Sequence, residues 1–346
     1  MRLRAWEHAT GAAYELFSLP FSHYCPEDLP EVSTADIIHL HWVSGLVDFS
    51  RFFTRVKQPI VWTLHDQQPY LGGFHYETDR VANPAMAVLE SACFKVKQNA
   101  LMEHPLAVVG NSNWNTNLAR ESGMFPASTT FHTIYYPLDP QVYKPRDQTS
   151  ARIGLGLPIE TFVVGFAATS LENKRKGFAE LLDALRLLCS DERPIMLLSF
   201  GRPPSADLIA SMPHPWVHLG FLDDDRIKAL VYSAMDCFVV PSIAEAFGQT
   251  AIEAFSCETP VIASRTGGLI EAVGDQGLLF EPGDSQELAN LIECLMRSTS
   301  LKRSLGIAGR RSVARRHRPK VCAEAYCDVY EHLNTESRSR SKKIIR

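Results

Sequence analysis

The feature that most constrains this chain is an alternation. Short runs that are apolar along their whole length are separated by stretches with helical spacing. "ADIIHLHW" (35–42), "PIVWTLHD" (59–66), "LAVVGNS" (106–112) and "TFHTIYYP" (130–137) are four such runs, with helices expected around 47–56 and over "NWNTNLARES". A strand with one wet face alternates apolar and polar residues, whereas a strand that is apolar throughout must be covered on both faces. Strands of this kind separated by helices predict parallel sheets with a helical layer on each side.

The pattern breaks at "PLDPQVYKPRDQTSARIGLGLP" (137–158), which is rich in proline, glycine and charge and reads as a linker. A second alternation follows. Strands are expected at 161–168, 195–201, 216–221, 235–242, 260–264 and 277–282, and helices at 178–189, 223–233, 250–257, 269–273 and from 285 onward. The expected fold class is therefore α/β, with two Rossmann-like parallel-sheet domains, 1–147 and 148–318, facing a cleft and hinged near 140–155. A helix at 319–335 is expected to pack back toward the N-terminal domain, ahead of a basic tail at 336–346. A length of 346 residues suits two domains better than one core.

Composition narrows the function classes. Apolar residues make up 45% and charged residues 21%, as in globular proteins, and a net charge of −4 gives no reason to expect nucleic-acid binding. Basic residues gather late, in "GRRSVARRHRPK" (309–320) and "SRSRSKKIIR" (337–346). They read either as a solvated helix face and frayed tail or as a contact with an anionic membrane surface. The eight cysteines form no CxxC pair and sit mostly in apolar contexts, as buried thiols of a reducing compartment do. The start, "MRLRAWEHATGAAYELF", lacks the apolar core of a signal peptide, and no run of 18 apolar residues occurs. The expectation is a cytoplasmic protein, at most peripheral at the inner face of a membrane.

Chemistry concentrates in "PSIAEAFGQTAIEAFSCETPVIAS" (241–264), where Glu245 and Glu253 flank the turn Phe247, Gly248, Gln249, Thr250 just beyond a predicted strand. In open parallel sheets, ligands bind outside the carboxyl ends of the strands. Gly248 relieves the turn, and a helix starting at Gln249 or Thr250 would point free N–H groups at the cleft, forming an anion site. A carboxylate at Glu253 can accept two sugar hydroxyls, with the helix dipole keeping it ionised. Taken alone, Glu245 could be a cap and Glu253 a dipole partner. "NKRKGF" (173–178) offers Arg175 and Lys176, or is simply a solvated turn. His65 ends a strand and is expected to face the cleft, with Asp66 orienting it or capping the following turn. His39 and His41 alternate on the preceding strand and read either as core or hinge residues or as facing the cleft. "LDDDR" (222–226) precedes a helix and reads as an acidic first turn, so no metal site is expected.

The string "PSIAEAFGQTAIEAFSCETPVIASRTGG" (241–268) resembles the E-x7-E signature of retaining glycosyltransferases of the GT-B fold, the glycogen-synthase-like group called family 4. "FLDDDRIKALVYSAMDCFVVPS" and "GLLFEPGDSQELANLI" extend the likeness over residues 160–332, and "HLHWVSG" and "WTLHDQQPYLGGFHY" resemble its exopolysaccharide and colanic-acid-type members. The resemblance implies transfer of a hexose, with retention, from a UDP- or GDP-sugar to a glycan or lipid-linked acceptor in cell-surface polysaccharide biosynthesis. The nucleotide sugar is then a substrate, and no cofactor is expected. It implies that Glu245 lies by the donor sugar as a catalytic group and that Glu253 binds the ribose. Lys176, Arg175, Gly248, Gln249 and Thr250 would hold the diphosphate. His65 would act by the acceptor or donor sugar, with Asp66, Gly72 and Gly73 on the acceptor side. Three departures stand out. The usual GR at the strand end reads Ala167-Ala168, the usual NG-[IV]-D reads "YPLD" (136–139), and no glycine-rich loop opens the chain. The N-terminal domain is thus expected to be truncated or reduced. A nucleotide-sugar epimerase on the same fold and a degenerate, non-catalytic binding subunit are the alternatives.

Overall fold

The computed structural model describes residues 11–188 and 193–344, with side chains of the last helix described to residue 335. The side chains of the basic tail expected at 336–346 lie outside the described residues, as does Cys189.

Two compact units form, and the chain passes between them twice: unit 2 is Tyr136–Val321 and unit 1 is the remainder. The segment 136–147, expected in the first domain, belongs to the second because its polar groups are satisfied there. The Leu138 amide donates to the His317 carbonyl at 2.8 Å. The Tyr143 carbonyl accepts from Ser256 Oγ at 2.6 Å, and the Arg146 amide donates to Ser233 Oγ at 3.1 Å.

Unit 1 has a parallel sheet of β1 (Ile38–Leu40), β2 (Ile60–Leu64), β3 (Leu106–Gly110) and β4 (Thr130–Thr133), ordered as in the sequence. β2 and β3 are buried along their whole length, and the period of two sorts their side chains between two cores. Ile60, Trp62, Leu64, Leu106 and Val108 join Phe49, Phe52 and Phe53 of α1 (Phe49–Arg55) and Cys93 and Leu101 of α2 (Ala87–Leu101). Val61, Ala107 and Val109 face the other way, onto Cys322, Val329 and Leu333 of the C-terminal helix Pro319–Ile344. That helix therefore supplies the second covering layer.

Unit 2 has a six-stranded parallel sheet: β5 (Phe162–Ser170), β6 (Ile195–Arg202), β7 (Trp216–His218), β8 (Cys237–Val240), β9 (Val261–Ser264) and β10 (Leu278–Phe280). Their order is β10-β9-β8-β5-β6-β7, so the direction of crossover reverses between β5 and β8. Below the sheet, buried Asp236 accepts from Arg152 at 2.6 Å and from the Val163 amide at 2.8 Å, and it also binds Lys302. Burial pushes its carboxyl up, but Lys302 and Arg152 hold it below the ordinary range. No helix among the described residues is long and apolar enough to cross a membrane.

Candidate functional site

The reversal between β5 and β8 opens a crevice at their carboxyl ends, where doubly wound sheets bind ligands. Two loops meet there. The first is a 3₁₀ turn, Lys174–Lys176, capped by Asn173, whose side chain accepts from the Arg175 amide at 3.0 Å. It ends at Gly177, with φ +71°. A Cβ on Gly177 would stand 1.8 Å from the Pro241 carbonyl oxygen, so only glycine lets this loop touch the one leaving β8. Across that contact the Ile243 amide donates to the Arg175 carbonyl at 2.8 Å, and the Arg175 guanidinium donates to the Ala244 carbonyl at 2.9 Å. Lys176 Nζ reaches Glu245 Oε2 at 2.5 Å. The second loop then turns through Gly248, φ +107°, into a helix that begins at Gln249, as expected (Gln249–Ser256). The Gln249 and Thr250 amides lie in its first turn, among the donors an α-helix leaves unpaired.

The charges are arranged unevenly. Burial pushes the Glu245 carboxyl up, but Lys176 and then Arg175 pull it below its ordinary value, so it stays ionised. The Arg175 side chain is 9% exposed and is committed to the Ala244 carbonyl, whereas that of Lys176 is 25% exposed. Lys176 is thus the more accessible cation, and Arg175 holds the two loops together. Glu253 corrects one expectation. It stands at the fifth position of its helix, past the turn where the dipole acts, and is buried against Tyr232, whose hydroxyl donates to it at 2.8 Å. Burial outweighs the Tyr232 hydrogen bond and pushes its carboxyl up to about 7. The acids of "LDDDR" have local partners: Asp224 caps the helix Asp225–Ala234 through the Arg226 amide at 2.7 Å, and Asp225 pairs with Lys228 at 2.9 Å.

In unit 1, His65 stands just past the end of β2, its Nε2 3.0 Å from Nδ1 of His41. The strand order of this sheet does not reverse among the described residues, so the crevice rule used for His65 has no purchase there. Asp66 caps the turn, accepting from the Gln68 amide at 2.9 Å. Its other oxygen orients His75 at 2.6 Å, and His75 in turn meets Ser18 Oγ at 2.8 Å, so Asp66 is engaged by His75. The Gly72 and Gly73 amides, in the stretch expected on the acceptor side, both donate to Glu90 at 2.6 Å. Beneath them Lys97 is fully buried and donates to the Leu71 carbonyl at 2.7 Å and to the Gln68 carbonyl. Burial lowers its ammonium to about 7 despite the pull of Glu90. Glu90 and Lys97 were missed in the sequence. Their signal was there: both sit at the spacing of Cys93 and Leu101, on the apolar stripe of α2, where an unpaired charge is not tolerated.

Two parallel sheets, one in each unit, with loops converging on a helix N-terminus at a crossover reversal, define a protein of the GT-B fold. Residues 161–298 match the family described as glycosyl transferases group 1. Among curated relatives, D-inositol 3-phosphate glycosyltransferase 1 of Catenulispora acidiphila is 29% identical over 75% of this chain and 64% of its own length. The capsular polysaccharide biosynthesis glycosyltransferase CapM of Staphylococcus aureus is 29% identical over 52% of this chain and 49% of its own. The chain thus spans about half to two thirds of the length of these relatives. Among solved structures, sucrose-phosphate synthase from Thermosynechococcus elongatus superposes with a TM-score of 0.72 at 25% identity, over 87% of this chain and 74% of that one. HepE from Anabaena, solved in complex with UDP and glucose, gives 0.63 at 22% identity, over 86% of this chain and 77% of its own.

Proposed function

We propose that this chain is a retaining hexosyltransferase that moves a sugar from a UDP- or GDP-sugar to a glycan or lipid-linked acceptor. The observation that carries this reading is the Lys176–Glu245 pair beside the N-terminus of the helix Gln249–Ser256, at the crossover reversal. Negative charge grows on the departing nucleoside diphosphate. The amides of Gln249 and Thr250 and the ammonium of Lys176 are fixed donors for that charge and need no reorganisation as it develops. Glu245, kept ionised, would face the electron-poor anomeric carbon and so favour loss of the leaving group. Glu253 would receive the ribose hydroxyls, and His65 the acceptor side. This chemistry needs no resident metal or cofactor, because cationic and amide donors supply the electrostatics. The likeness to CapM supports a place in surface polysaccharide synthesis, at the cytoplasmic side of a membrane that the basic C-terminal residues would touch.

The test is release of UDP from UDP-glucose, and of GDP from GDP-mannose, by the purified chain with and without glycan acceptors. Lys176→Ala should lower turnover by about 100-fold or more while the protein remains folded, the usual effect of removing one donor from an anion hole. Turnover unchanged in Lys176→Ala would remove the site from the reaction.

A further inference from the structure

His65 does not stand alone. A chain of hydrogen bonds and one ring contact runs from it through two strands to the C-terminal helix. His65 Nε2 lies 3.0 Å from His41 Nδ1, just past the ends of β2 and β1. The His41 ring packs against His39 at a tilt, centroids 4.2 Å apart and planes inclined by 33°. His39 is pinned at both nitrogens: Nδ1 meets the Tyr330 hydroxyl at 2.7 Å, and Nε2 meets Thr63 Oγ1 at 2.8 Å. Thr63 also meets the Tyr326 hydroxyl at 2.8 Å. Both tyrosines come from the C-terminal helix, whose described apolar residues already cover this face of the sheet.

Two ring nitrogens at that distance can hold only one proton between them, so the tautomer of one ring dictates that of the other. If His65 donates from Nε2, His41 accepts at Nδ1 and keeps its own proton on Nε2, and His65 carries its lone pair on Nδ1. The reverse arrangement would put both rings in the opposite tautomers. Each neutral ring in the first case holds the tautomer that free imidazole side chains prefer.

We propose that His41 is a positioning residue for His65, fixing its ring and holding it as the Nε2–H tautomer, and that Tyr326 and Tyr330 of the C-terminal helix hold His41 through His39. The proposal rests on the reading of His65 as part of the acceptor side. Among the described residues, Asp66 stands beside His65 and His39 beside His41, while Tyr326 and Tyr330 meet His39 and reach the pair through it. Burial keeps His65 below the ordinary imidazole range, with His41 adding to the effect and Asp66 opposing it.

The test is a two-bond ¹H–¹⁵N spectrum of the full chain labelled at histidine, recorded across pH 4–8, with the His65 signal assigned by its loss in His65→Gln. The wild type should show a single Nε2–H tautomer at His65. In His41→Ala the signal should move to the average of two tautomers, and its midpoint should rise by about 0.5–1 pH unit as the neighbouring charge is lost. His41→Asn, which can still accept at its side-chain oxygen, should restore the wild-type tautomer. Tyr330→Phe should shift the signal in the same direction as His41→Ala by a smaller amount. An unchanged His65 spectrum in His41→Ala, with the protein still folded, would overturn the proposal. The role of His65 itself is read separately, from UDP release by His65→Gln on UDP-glucose. If that variant keeps full turnover, the acceptor-side reading fails whatever the spectra show. If it loses turnover, His41→Ala should lower kcat severalfold and leave KM for UDP-glucose unchanged, since the donor contacts lie in unit 2.

Discussion

At the scale of single residues, the site is decided by the balance between burial and partners. Glu245 and Glu253 are both carboxylates largely removed from water, eight positions apart, yet they are driven in opposite directions. Glu245 faces Lys176 and Arg175, and these outweigh its burial. Glu253 has mainly a neutral hydroxyl against it, and burial wins. The consequence for stability has a definite sign. Unfolded, Glu253 ionises near its ordinary value of 4.5; folded, it holds its proton to about 7. Between those values the folded state binds more protons, so this group's contribution to stability is complete below 4.5, falls as pH rises and levels off above 7. Glu253→Gln keeps an acceptor for Tyr232 and removes the titration. Its melting temperature relative to wild type should therefore climb between pH 4.5 and 7, with a swing on the order of a few kcal/mol, and then stay flat. Thermal melts of both proteins across that range check this; a constant offset would mean that Glu253 is ionised in the fold.

At the scale of elements, two loops built from distant sequence make one site, and Gly177 is where they are joined. Gly177→Ala would force a Cβ into the Pro241 carbonyl at a positive φ, so the loops must part. The expected loss is on the order of 1–3 kcal/mol of stability, and calorimetric titration should show weakened UDP binding. Unchanged affinity would mean that the loop junction does not shape the donor site. This junction also marks the limit of what the sequence discloses. β2, β3, β8 and β9 were readable because a strand covered on both faces is a continuous apolar run. The helix start after Gly248 was readable because a local backbone requirement fixes it. The Lys176–Glu245 contact joins residues 69 apart, and only the resemblance placed them together. The state of Glu253 was not readable, because it depends on how deeply Tyr232 buries it. The occupation of Gly72 and Gly73 by Glu90 was equally hidden, since it depends on a helix crossing under the loop.

At the scale of the whole molecule, the two crossings of the chain give the units unequal independence. Unit 2 is one continuous stretch, 136–321, containing all six of its strands and the Asp236 cluster that ties β5 and β8 to the flanking segments carrying Arg152 and Lys302. Unit 1 is split, and its second covering layer arrives only with the C-terminal helix. Without that helix Val61, Val109 and Ile134 would face water. Burying each of these is worth about 1.5–3 kcal/mol, together roughly 5–9 kcal/mol, against a net stability of about 5–15 kcal/mol for a typical domain. Loss of the layer is therefore enough to unfold the unit. Residues 136–321 expressed alone should fold and melt cooperatively. Residues 11–135 alone should lack a cooperative melt and bind a hydrophobic dye, and adding a peptide of residues 319–346 should restore the transition. Asp236→Asn, which leaves Arg152 and Lys302 short of a charge partner, should cost about 3–5 kcal/mol in the 136–321 fragment and nothing in the reconstituted unit 1. Cooperative folding of 11–135 without the peptide would show that the C-terminal helix covers a sheet already stable without it.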